Sequence, residues 1–115
     1  MVLKELLLGC FYFLLGHILV WYQLNGQFLW KSFRDHEWAV AAAGFIISFF
    51  FIWGTKHTVA AMDGLLWPAR FIGFGIGIFV YAVMVSHLFG EGFTTKTIIS
   101  IGLSIGLICI QVLWK

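Results

Sequence analysis

Two long apolar runs joined by a short polar turn occupy the second half of the chain and restrict its fold more than any other feature. LLWPARFIGFGIGIFVYAVMVSHLF is followed by the seven residues GEGFTTK and then by TIISIGLSIGLICIQVLW. Each run is long enough to span a hydrocarbon core as a helix, which takes about 20 apolar residues. Backbone amides and carbonyls in lipid must find partners within the protein, so only helices or a closed barrel can span. The runs are continuous rather than alternating, which excludes the barrel and leaves a transmembrane helical hairpin.

Composition extends this reading to the whole chain. Of the 115 residues, 62% are hydrophobic and 10% charged, against about a quarter charged in soluble domains. A water-soluble fold is excluded, and no length remains for a separate soluble domain. The expectation is an all-α integral membrane four-helix bundle with short loops, its helices over about 3–22, 38–57, 66–89 and 96–114. The opening MVLKELLLGCFYFLLGHILVW has the apolar core of a signal peptide. However, Glu5 precedes that core and no small-residue cleavage site follows it, so it is read as the first span. Cys10 and Cys109 fall inside spans, where a thiol acts as a small hydrophobe.

Trp21 and Tyr22 close the first span and are expected to anchor at the interface. The loop from Gln23 to Glu37 mixes aromatic and charged residues, as suits a segment lying in the interface or prolonging the first helix. Small residues from Ala39 to Gly44 open the second span, and a second polar loop, Gly54 to Gly64, is expected to overlap the end of that span. Pro68 marks the start of the third span, since proline is tolerated in a helix's first turn. Gly73 with Gly77, and Gly102 with Gly106, are G-x-x-x-G pairs whose expected role is helix packing and oligomerisation.

Four spans place Lys4, Lys56 and Lys115 on one side and Lys31, Arg34 and Lys96 on the other, with Arg70 adding to the first. So even a balance barely specifies orientation under the positive-inside rule. The expectation is dual insertion or orientation by a partner. No basic cluster exists, so nucleic acid is not an expected partner; the lipid bilayer is.

Ionisable residues inside spans are candidates for function. His17 is foremost, with Tyr12, Tyr81 and Trp21 as aromatic and polar neighbours along a candidate substrate path. Arg70, one turn into the third span, either snorkels to headgroups or faces inward toward an anionic ligand or a partner acid. His36, His87, Glu37 and Glu91 share one side, but their spacing matches no compact metal motif. Nor do His17, His87 and Glu91 show a catalytic spacing. No catalytic residue, metal or cofactor is expected, and the chain is not read as an enzyme.

With four short helices, balanced loop charge, and LFGEGFTTKTIISIGLSIGLICIQVLW at its end, the chain resembles the drug/metabolite transporter superfamily. That group includes the four-helix small multidrug resistance proteins and larger members built from repeats of a similar unit. In the larger members a Gly-Glu pair closes a helix before a final helix rich in small residues, as Gly90 and Glu91 do here. The resemblance is best over Phe71 to Trp114. It implies a small transporter of a metabolite or organic solute, a homodimer or a pair with a homologous chain, in a bacterial inner membrane. One departure stands out. Small multidrug resistance proteins resemble one another in a glutamate midway along helix 1, where this chain has Cys10, Phe11, Tyr12 and Phe13, so substrate or coupling should differ. The alternative function is a structural or accessory subunit of a larger membrane complex.

Overall fold

The computed structural model describes residues 2–114; Lys115, counted above in the charge balance, lies outside them. The regular elements are all helices, and the described residues contain no strand. Helix α1 covers Leu3–Asn25, α2 Lys31–Asp35, α3 Glu37–Ala42, α4 Gly44–Ala61, α5 Leu66–Leu88 and α6 Thr95–Leu113, with a 3-10 turn at Gly26–Phe28. Ala43 keeps helical dihedrals between α3 and α4, and Glu37–Ala61 counts as one span of 25 residues. Four helical stretches are therefore long and apolar enough to cross a membrane. The all-α four-helix bundle stands as expected.

Two boundaries differ from the sequence reading. α1 runs on to Asn25, whose side-chain Nδ2 donates to the Trp21 carbonyl at 3.1 Å. The second loop does not begin at Gly54. α4 continues to Ala61, because Gly54, Thr58 and Ala61 form a buried edge against α1 that outlasts the polar residues Lys56 and His57 on the other faces. The connection shrinks to Met62–Leu65, turned by the left-handed Asp63 (φ 57°) and Gly64 (φ 81°), a conformation glycine adopts without steric cost. Val2 N–H donates to the Ala61 carbonyl at 3.2 Å and closes that end of the bundle.

α1 and α5 form the centre of the bundle. Leu6, Gly9, Phe13 and Gly16 are buried along one face of α1, at the three- and four-residue spacing of a helical stripe. α4 meets that face through Gly54 and Thr58. A Cβ added at Gly9 would lie 2.9 Å from the Thr58 amide nitrogen and 3.1 Å from the Gly54 carbonyl oxygen. Such close backbone approach is how apolar helices gain packing energy where lipid removes the hydrophobic drive. Phe13 then fills the space beside Gly54 and Gly73.

The glycines of α5 point to different partners. Gly73 faces Phe13 and Gly77 faces His17, both on α1, whereas Gly75 faces Ser104 and Ile108 of α6. The hairpin of α5 and α6 thus joins through Gly75, not through the two G-x-x-x-G pairs. A methyl group placed on Gly102 or Gly106 would find no atom of the described residues within 4 Å, so at these two positions α6 is open toward the outside of the bundle. On α6, the Ser100 and Ser104 hydroxyls each donate to the carbonyl one turn earlier, at 2.9 Å. Thr94 caps α6 by accepting from the Thr97 amide at 3.2 Å, which satisfies one of the free donors of a helix start.

The outside of the bundle is apolar. Phe45, Leu103 and Leu113 are 74%, 68% and 73% exposed, far more apolar surface than a water-soluble monomer presents. Hydrocarbon is the solvent such a surface requires.

Candidate functional site

α4 and α5 both pack on α1, and a cleft of about 630 Å³ lies between them with α1 as its floor. The floor is Phe13, His17, Val20 and Leu24, residues recurring every three or four positions on one helical face. Phe51 and Thr55 of α4 form one wall. The other is α5 from Leu66 to Tyr81, and Arg70 to Tyr81 along it covers about 16 Å at 1.5 Å per residue. Leu24, Phe74 and Tyr81 at the rim are 58%, 52% and 50% exposed, so the cleft opens outward between α4 and α5.

His17 sits midway. Its half-buried ring stands edge-on to Phe51, with centroids 5.0 Å apart and planes at 86°, and it occupies the space that Gly77 leaves open. A Cβ at Gly77 would lie 2.8 Å from His17 Nδ1. Gly77 therefore seats the imidazole against α5.

Arg70 lines the cleft near the Leu66 end, its guanidinium carbon 5.2 Å from the centroid of the Phe74 ring. A cation over an aromatic face is held by the ring quadrupole. Among the described residues no carboxylate lies within salt-bridge distance of it. Tyr81 lies toward the opposite end, its hydroxyl donating to Asn25 Oδ1 at 3.5 Å.

The other two sequence candidates lie elsewhere. Tyr12 faces α4 beyond the cleft, stacked on His57 with centroids 5.6 Å apart and packed on Trp53 at 5.5 Å. Trp21 is only 2% exposed; it packs against Tyr22, Tyr81 and Phe89 and supports Tyr81 from behind. Its expected place as an interface anchor is corrected, because the ends of α1 and α5 close over it. The indole Nε1–H finds no partner among the described residues. His36 bonds only locally, with Nδ1 2.8 Å from the Ser32 carbonyl. Among the described residues no three His, Cys, Asp or Glu side chains gather as a metal site would need.

Sequence reasoning overlooked Thr55, Phe51 and Phe74 in the cleft, and a pair outside it. His57 Nδ1 lies 2.5 Å from Glu5 Oε2 across the α1–α4 contact. The signal for that pair was present, since four spans put both residues at the same end of the bundle. Reading His57 as loop concealed it.

Fold and cleft together define a four-span, all-α membrane protein with a laterally open, mostly apolar cleft. In comparison with known proteins, the chain matches no family model, no curated protein and no solved structure.

Proposed function

We propose that the protein is a small membrane transporter of the drug/metabolite type, moving a small metabolite or organic solute across a bacterial inner membrane as a homodimer. The cleft carries this reading. Its volume falls in the range of small-molecule sites, and a few polar groups set in apolar walls are how such sites orient a ligand. His17 supplies the mid-span polar group, and Arg70 and Tyr81 stand toward its two ends. One chain gives the cleft only three helical sides, and a second copy docked through the Gly102 and Gly106 face would complete the assembly.

Reconstitution tests it. Proteoliposomes carrying the full chain should exchange at least one labelled compound from a panel of amino acids, sugars, organic acids and organic cations, with exchange lost in His17→Leu. Exchange no faster than in empty liposomes for every class would oppose the proposal. The open α6 face equally suits an accessory subunit of a larger complex. Native mass spectrometry separates the two, a homodimer favouring transport and a stoichiometric unlike partner favouring the accessory role.

A further inference from the structure

We infer that the cleft selects an organic anion with a single apolar chain, its carboxylate or similar head at Arg70 and its body along the aromatic walls toward Tyr81. This rests on the reading of the cleft as a substrate site and names the class of substrate. The residues around the cleft include one charged side chain, Arg70, and no Asp or Glu. An organic cation entering would meet a like charge that no carboxylate among the described residues offsets, and like charges repel. An anion meets an arginine that no described carboxylate neutralises.

The guanidinium is also presented for binding. Held 5.2 Å over Phe74, it keeps its planar fork of donors for a carboxylate, which it can engage through two parallel hydrogen bonds. Thr55 across the cleft offers a hydroxyl at the same end. Beyond the head, Phe13, Phe51, Phe74 and Ile78 provide apolar walls for a chain. A volume of about 630 Å³ is that of a site for one small ligand, which favours a single-chain solute over a two-chain phospholipid.

The test uses the purified full chain in phosphatidylcholine nanodiscs and labelled dodecanoate, with dodecyltrimethylammonium as the cationic counterpart of the same chain. Saturable dodecanoate binding is expected, weakened about tenfold or more in Arg70→Gln, the usual order for a lost charge-assisted hydrogen bond. Arg70→Lys should recover part of it, and Lys96→Gln should match the unmodified chain, with helical circular dichroism unchanged in all three. Equal binding of the cation, or no effect of Arg70→Gln, would overturn the inference. So would displacement of dodecanoate by phosphatidylglycerol nanodisc lipid at trace levels, which would make the occupant a membrane lipid. Dodecanoate binding without flux of any solute would uphold the anion site and remove transport. Flux of an organic cation without dodecanoate binding would do the reverse.

Discussion

His57 Nδ1 lies 2.5 Å from Glu5 Oε2, so two polar side chains at the start of α1 and the end of α4 meet as a pair across the helix contact. Their side chains are 23% and 31% exposed, and Tyr12 stacks over the imidazole. Partial shielding raises the value of such a contact above that of a surface pair, which contributes about 0–1 kcal/mol. Glu5→Gln and His57→Leu, measured singly and together by reversible unfolding in detergent micelles, should show a coupling of about 1 kcal/mol. Additive effects would mean the pair contributes nothing beyond its separate packing.

Gly9 and Gly102 should differ sharply in their response to the same small substitution. A methyl at Gly9 has backbone atoms of α4 within 2.9 and 3.1 Å, which cannot move without separating the helices. Gly9→Ala is expected to lower stability by about 1–3 kcal/mol, the range for overpacking a tight contact. A methyl at Gly102 meets no described atom, so Gly102→Ala should stay within about 0.5 kcal/mol in monomeric micelles. Thermal unfolding of both variants checks the contrast.

Bulk at the same α6 face should instead change assembly. Gly102→Leu with Gly106→Leu is expected to abolish the homodimer in chemical crosslinking and native mass spectrometry while helical content holds. Survival of the dimer with both leucines would assign the subunit contact to another face.

Gly77→Ala separates position from stability. The added methyl would sit 2.5 to 3.0 Å from three atoms of the His17 ring; a side chain at the cleft edge can swing aside, so the fold should lose about 1 kcal/mol or less. The imidazole should move into the cleft. Histidine ring nitrogen shifts in labelled protein would record the displacement, and solute exchange should fall in step.

The architecture was readable because spans in lipid obey one strong rule, that apolar length decides helices. The ends of α5 and α6 fell within a residue of the expected 66–89 and 96–114. The end of α4 was misplaced because Lys56 and His57 read as loop by polarity, whereas their helix is set by Gly54, Thr58 and Ala61 on another face. In the cleft, His17, Arg70 and Tyr81 were legible as polar residues within apolar spans. Thr55, Phe51 and Phe74 were not, since nothing in a run of phenylalanines says which ring turns inward. The glycine pattern named the right kind of contact and misjudged the partners. G-x-x-x-G spacing shows that two glycines share a face but not which helix that face meets, and the pairing with α6 fell to Gly75 instead.

α6 packs principally on α5, which has α1, α4 and α6 around it. Its place in the bundle therefore depends chiefly on the close approach of Gly75 to Ser104 and Ile108, with Val112 adding a contact to the buried cluster. Six residues from Phe89 to Thr94 join it to α5, so bulk at Gly75 would loosen the fourth span while the three-helix packing of α1, α4 and α5 keeps its own contacts. The bundle is thus built as a three-helix unit that carries the cleft and one outer helix that carries the open glycine face.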